Sequence, residues 1–218
     1  MEDKRFDGVV FDMDGVVIDT EKMVLECWNE AGMKHGLPDM TEVLKQCIGL
    51  NARDTDDLIR ANFADFAGEL DAIKEEKKIM IRERVDNGQV PPKPGVIELL
   101  TYLKDKGYKT ALATSTSRKA ATHELDILDL TKFFDVMVTG DEIAKGKPDP
   151  EIFLTACDKL GVSPEKLIGV EDSYNGIKSC KAAGLYTVMV PDLLPPTDEI
   201  RELADEIFDS IITVKKLL

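Results

Sequence analysis

The stretch Val9-Val10-Phe11-Asp12-Met13-Asp14-Gly15-Val16-Val17-Ile18-Asp19-Thr20 decides how the rest of the chain is read. Val9, Val10 and Phe11 form a continuous apolar run with β-branched residues, which suits a strand buried on both faces of a parallel sheet. Asp12 and Asp14 follow where that strand stops, at the carboxyl edge where open α/β sheets bind their ligands. Gly15 lets the backbone turn sharply beside them. Two acids in one small cleft repel unless a cation lies between them, and hard cations such as Mg²⁺ favour carboxylate and carbonyl oxygens. Taken alone, the segment also fits a glycine turn whose aspartates satisfy backbone N–H groups. The choice falls to the residues further along.

Over residues 21–87 the pattern changes to long helical stretches without a strand. Met23, Cys27 and Ala31 fall at i, i+4 and i+8, and Trp28 widens the same apolar stripe, as a core residue rather than a substrate platform. Leu58, Ile59, Phe63 and Phe66 continue the helical spacing, and residues 73–85 read as an amphipathic helix with a charged outer face. Asn87-Gly88-Gln89-Val90-Pro91-Pro92-Lys93-Pro94-Gly95 breaks the pattern. Because the first strand precedes this block, the helices are inserted into one α/β domain. The expected division is 1–18 with 91–218 for the core and 19–90 for a helical cap, with two natural hinges.

Beyond the breaker, strands and helices alternate. A helix to about Lys106, closed by Gly107, leads into a strand at residues 109–113 that ends in Thr114 and Ser115. A third strand is expected at residues 135–138. Asp149 and Pro150 read as N-cap and N1 of the next helix, which Gly161 ends, and Ser163-Pro164 repeats the start signal. A fourth strand, residues 167–170, stops at Glu171 and Asp172. A helix capped by Gly184, a fifth strand at residues 186–190 and a closing helix through Ile200, Leu203 and Ile207 complete the chain. This alternation predicts an α/β fold, a doubly wound parallel sheet with a Rossmann-like core and an inserted all-helical cap.

Composition narrows the function. With 28 Lys+Arg against 42 Asp+Glu among 218 residues, the formal charge is −14. That disfavours a backbone-reading nucleic-acid binder, which needs a basic footprint, and it means that an anionic substrate must meet a local positive cluster. Cys27, Cys47, Cys157 and Cys180 show no metal-ligand spacing, and the chain shows no signal peptide and no apolar run of membrane length. The expectation is a cytoplasmic protein with reduced thiols, no membrane or nucleic-acid partner, and a monomeric or weakly oligomeric state. His35 and His123 lie in helix-like segments and are not candidates for catalysis.

In one parallel sheet the ends carrying Asp12/Asp14, Thr114/Ser115, the Lys147 loop and Glu171/Asp172 face the same cleft. A phosphoryl group there would find a carboxylate nucleophile, hydroxyl and backbone donors, a lysine and an acid-bound metal. The stretch Gly140 to Lys147 imitates a phosphate-binding P-loop, but its spacing is wrong and Pro148 stands where Ser or Thr is required.

These residues resemble the haloacid dehalogenase-like hydrolases, in particular the β-phosphoglucomutase-like phosphatases with a helical cap. The motifs that carry the likeness are Asp12-Met13-Asp14-Gly15-Val16-Val17-Ile18-Asp19-Thr20, Leu112-Ala113-Thr114-Ser115, Gly146-Lys147-Pro148-Asp149-Pro150, and Gly169-Val170-Glu171-Asp172-Ser173-Tyr174-Asn175-Gly176-Ile177. The resemblance implies that Asp12 attacks phosphorus and Asp14 serves as acid and base. It further implies that Thr114 and Lys147 hold phosphate oxygens, Ser115 beside them. Mg²⁺ would be bound by the Asp12 carboxylate, the Asp14 carbonyl, Asp172 and Glu171. The expected activity is hydrolysis of a small phosphorylated metabolite, a sugar phosphate before others. The alternative is a β-phosphoglucomutase-type mutase, for which Arg53, in Gly49-Leu50-Asn51-Ala52-Arg53, is the candidate grip on a distal phosphate. The mutase's histidine after the first motif is replaced by Val24. A catalytically silent phosphometabolite-binding protein is a third reading.

Overall fold

The computed structural model describes residues 5–48 and 52–218, with the side chains from 53 onward in the second segment. The chain divides into two compact units, Met1–Asp19 with Pro91–Leu218, and Thr20–Val90.

The first unit is built on β1 (Gly8–Phe11), whose four residues are all buried. In the second unit the chain runs through α1 (Glu21–Lys34), α2 (Thr41–Cys47), α3 (Ala52–Asn62) and α4 (Leu70–Asp86), then returns to the first. There follow α5 (Val96–Asp105), β2 (Lys109–Thr114), α6 (Arg118–Ile127), β3 (Val136–Thr139), α7 (Glu151–Leu160), β4 (Leu167–Glu171), α8 (Tyr174–Ala183), β5 (Tyr186–Met189), α9 (Asp198–Leu203) and β6 (Glu206–Ile207). The six strands are parallel in the order β3-β2-β1-β4-β5-β6. β1 lies at the centre with Phe11 beside Leu112 of β2 and Val170 of β4. The sequence order reverses across β1, so the carboxyl ends of β1, β2 and β4 flank the switch point where ligands of such sheets bind.

Strand alternation sends Val10, Ala111, Ala113 and Val138 into one core layer with Ile152, Phe153 and Ala156 of α7 and Cys180 of α8. Small residues on the strands let these helices lie close. Phe11 points the other way and meets Phe134 edge-on, centroids 6.2 Å apart. Phe11, fully buried, contributes on the order of 3–5 kcal/mol against alanine. The loop after β1 is stapled down: the Lys93 amide donates to the Val17 carbonyl, the Asp19 amide to the Pro91 carbonyl, and the Lys93 ammonium reaches Asp19 and Asp192 at 3.3 and 2.6 Å.

The helical unit has its own core of Trp28, Ala31, Leu37, Met40, Leu44, Ile59, Leu70 and Ile73. Trp28 is buried there, in the role its spacing predicts.

Four expectations need correction. The α7 helix begins at Glu151, with Pro150 as its N-cap, while the Asp149 carboxylate accepts from the Glu151 amide at 3.1 Å. Asp149 thus caps the helix from one residue further out. Ser163-Pro164 opens only a single 3₁₀ turn, Pro164–Lys166, because Leu167 is already pulled into the sheet. The closing helix stops at Leu203, and Ile207 belongs to a sixth strand that pairs with β5. A two-residue strand carries no period for a sequence reading to detect. Phe63 and Phe66 likewise lie beyond α3, Phe66 in a 3₁₀ turn.

Candidate active site

Lys147 organises the site. Its loop, which contains a cis Lys147–Pro148 peptide, brings the ammonium to 2.6 Å from Asp12 Oδ1, 2.6 Å from Glu171 Oε1 and 3.0 Å from the Ala113 carbonyl. The ends of β1, β2 and β4 are therefore tied together by one cation, which is 8 % exposed. Glu171 is fully buried, and its second oxygen accepts from the Asp172 amide, the Ser173 amide and the Ser173 hydroxyl at 3.0–3.1 Å. It is a fixed anchor, with donors on both oxygens. Gly176, in the first turn of α8, makes room for it: a Cβ there would overlap the Glu171 carboxylate.

Asp12, Glu171 and Asp172 are all buried, and each offers an oxygen within 4.8 Å of the others. With all three carboxylates ionised against one lysine, two charges would be left uncompensated in a desolvated place, and a divalent cation would balance them. Gly15 sits at φ 76°, and a Cβ on it would overlap Asp172 Oδ2. The glycine is thus required both by its backbone and by the closeness of the carboxylate. Burial pushes the Asp12 carboxyl up to about 8, with Glu171 and Asp14 acting in the same sense and Lys147 against it. For Lys147 burial alone would lower the pKa, but Asp12 and Glu171 outweigh it and hold the ammonium charged.

Asp14 is oriented separately. Its Oδ2 accepts from the Thr116 hydroxyl at 2.8 Å and lies 3.5 Å from the Thr114 hydroxyl, which itself accepts from the Thr116 amide at 3.1 Å. Thr114 is buried at the end of β2, whereas Ser115 is exposed. The backbone carbonyl of Ser115 packs so closely on Gly140 that a Cβ there would overlap it. Thr116 is the residue that sequence reasoning missed. Only its position two beyond Thr114 in a hydroxyl run could have suggested it. Glu124 of α6 is another: burial, and then the Asp14 carboxylate, push its carboxyl up to about 8.

Asp12, Asp14, Thr114, Lys147, Glu171 and Asp172 therefore belong to one constellation in the first unit. Arg53 lies in the second, in the first turn of α3, with its side chain 89 % exposed and 4.0 Å from Asp57. Gly49, Leu50 and Asn51 lie outside the described residues. Among the described residues, no helix is long and apolar enough to cross a membrane.

Comparison with known proteins gives the same picture. The family model described as "Haloacid dehalogenase-like hydrolase" matches residues 9–190. A "Phosphorylated carbohydrates phosphatase" of Thermotoga maritima is 38 % identical over 186 residues, covering 84 % of this chain and 83 % of that protein. A "Beta-phosphoglucomutase" of Bacillus subtilis is 33 % identical over 193 residues, covering 84 % and 82 %. The crystal structure of a β-phosphoglucomutase from Clostridium difficile superposes with a TM-score of 0.79 at 25 % identity, over 97 % of this chain and 96 % of that one.

Proposed function

Because the chain belongs to the haloacid dehalogenase-like hydrolases, we propose that it is a Mg²⁺-dependent phosphatase of small phosphorylated metabolites, sugar phosphates first, acting through an aspartyl phosphate on Asp12. The observation that carries this reading is the Lys147 ammonium held at 2.6 Å from both Asp12 and Glu171 beside the Asp12, Glu171 and Asp172 cluster.

Asp12 is the nucleophile: its Oδ1 is fixed by Lys147, which leaves Oδ2 for phosphorus. Asp14, oriented by Thr116, protonates the leaving oxygen and then takes a proton from the attacking water. Lys147 and the Thr114 hydroxyl offset charge on the phosphoryl oxygens. Asp12, Asp172 and the Asp14 carbonyl, with Glu171 directly or through water, would hold Mg²⁺. When bound, the ion lowers the cost of bringing a phosphate dianion to this acidic edge.

The phosphatase of Thermotoga maritima supports hydrolysis of a phosphorylated carbohydrate. The mutase reading is favoured by the likeness to the Bacillus subtilis mutase and to the Clostridium difficile β-phosphoglucomutase structure. Against it stands Val24, in place of the histidine that the mutases carry. A phosphatase admits water to the aspartyl phosphate, whereas a mutase must exclude it. The deciding experiment is a screen of phosphorylated metabolites for Mg²⁺-dependent phosphate release, with β-glucose 1-phosphate plus a bisphosphate primer as the isomerisation arm. Phosphate release abolished in Asp12→Asn supports the proposal, and undiminished release in that variant overturns the nucleophile assignment. Beryllium fluoride with Mg²⁺ should form an aspartyl-phosphate mimic on Asp12, which a silent binding module need not do.

A further inference from the structure

Residues 143–150 link the 3₁₀ turn Gly140–Glu142 to α7 and belong to no regular element, yet they carry Lys147. The loop is held from α7. Both oxygens of the Glu151 carboxylate, at the first position of that helix, accept from consecutive loop amides, Ala144 to Oε1 and Lys145 to Oε2, each at 2.8 Å. The carboxylate thus reaches back along the chain, while the Glu151 amide is taken by the Asp149 carboxylate at 3.1 Å. On the far side of Lys147, the Asp149 amide closes a turn onto the Gly146 carbonyl at 3.1 Å. The Asp149 carbonyl accepts from the Ser179 hydroxyl of α8 at 2.7 Å, and Ser179 is fully buried. Phe153, two residues beyond Glu151 and also fully buried, has its ring centroid 5.2 Å from the Lys147 ammonium.

These anchors leave a short lever. Gly146, Lys147 and Pro148 alone lie between the residue that Glu151 grips and the one that Ser179 grips. At about 3.5 Å per residue they cannot carry the Lys147 backbone far from its place. That restraint matters because the lysine stem is flexible and does not orient its own charge. Its ammonium reaches 2.6 Å from Asp12 and from Glu171 through a loop whose position α7 dictates. The start of a helix favours a carboxylate. N–H groups bound to an ionised acceptor are held about twice as strongly as those bound to a neutral one, so the grip on Ala144 and Lys145 is firm.

We propose that Glu151 is a positioning residue of phosphoryl transfer. Through the amides of Ala144 and Lys145 it sets the loop so that the Lys147 ammonium meets Asp12 and the oxygens of the transferred group, with Ser179 securing the other side. The inference rests on the reading of the site as that of a phosphatase. Glu151 acts through Lys147, since its polar contacts are with the loop. Lys147 serves the transferred phosphoryl group and not the leaving oxygen, so displacing it slows all phosphate esters alike. An ångström of misplacement at a reacting centre costs on the order of 10²-fold in rate.

The test uses the full chain with Glu151→Ala, which removes both acceptors, and Glu151→Gln, which keeps one oxygen and turns an NH₂ toward the other amide. With Mg²⁺ saturating, Glu151→Ala should lower kcat and kcat/KM together by on the order of 10²-fold for p-nitrophenyl phosphate. The same factor should hold for a sugar phosphate, because protonation of the leaving oxygen by Asp14 is untouched. Glu151→Gln should fall between alanine and wild type, and it carries the test should the alanine variant not fold. A second readout needs no turnover: reductive methylation with formaldehyde and cyanoborohydride, mapped by mass spectrometry. Lys147 should label slowly in wild type and roughly tenfold faster in Glu151→Ala, as losing bonds to an ionised acceptor lets the loop open more often. The two failures are distinguishable. No phosphate release from wild type overturns the phosphatase reading. An active wild type whose Glu151 variants keep full kcat, or keep Lys147 as slow to methylate, overturns this inference. A loss confined to sugar phosphates, which points to Asp14, overturns it as well.

Discussion

Lys147 in the sheet unit is almost fully buried between Asp12 and Glu171, each at 2.6 Å. In the helical unit Arg84 meets Glu26 and Glu30 at 2.8 and 2.6 Å, but about half of each glutamate side chain, 47 % and 51 %, faces water. The distances match and the consequences do not. Exposed pairs contribute about 0–1 kcal/mol, because solvent screens them and two long side chains must be ordered. Breaking a buried pair strands a charge away from water, at a cost of about 3–5 kcal/mol. A few charges thus define the sheet unit's site, while the helical unit rests on its apolar core and wears its charges outside.

The largest expected effect is on chemistry. Asp12→Asn keeps shape and removes the nucleophile, so phosphate release should fall by at least about 10³-fold. Far-UV circular dichroism should be unchanged. Loss of Arg84 should leave turnover within about twofold, since its pairs are solvated. Comparable losses in the two variants would erase the distinction between the units.

Next in size is stability. Lys147→Met leaves Asp12 and Glu171 buried without their cation, and urea denaturation of the metal-free chain should show a loss of about 3–5 kcal/mol. Arg84→Met should cost no more than about 1 kcal/mol in the same assay. If the two cost the same, burial does not set the worth of these pairs.

Glu124 sharpens the comparison within the sheet unit, because it is a carboxyl without the cation that Lys147 gives its neighbours. Its pKa rises from 4.5 to about 8, through burial first and Asp14 second. A carboxyl raised on folding contributes stability fully below its unfolded pKa, and that contribution is lost as pH rises through the folded value. Wild type should therefore weaken relative to Glu124→Gln between about pH 4.5 and 8. The gap should reach on the order of 1–2 kcal/mol above pH 8, allowing for partial exposure. Parallel stability–pH curves for the two proteins would show that Glu124 titrates normally.

The same contrast explains what could be read before any coordinates. Asp12, Glu171 and Asp172 were legible because each sits at a strand end, and Lys147 because it sits in a short motif of the loop that follows β3; parallel topology brings these ends together. The pairing of Lys147 with Glu171 was not legible: the sequence marks both as polar edge residues, and only the register of β1, β2 and β4 decides that one cation spans them. Thr116 was missed because orienting Asp14 depends on the turn after β2, where three hydroxyls in a row offer equal choices. β6 escaped because its two residues follow a helix with the same apolar spacing. In the helical unit Trp28 and Ile73 announced the core by period.

The smallest effect is expected at Arg53, and it bears on how far the helical unit's charges take part in function. Its side chain is 89 % exposed and its nearest acid, Asp57, is 4.0 Å away. Arg53→Ala should leave the melting temperature unchanged, as at other solvated positions. A phosphatase of monophosphates predicts unchanged kcat and KM as well. If Arg53 instead grips the distal phosphate of a bisphosphate, the variant should raise KM for bisphosphates by roughly tenfold, the worth of one charge-assisted contact, while monophosphate hydrolysis stays as it was. That split would move the protein toward the mutase reading without touching Asp12. It would also show that a charge exposed in isolation can gain its value from the substrate rather than from the fold.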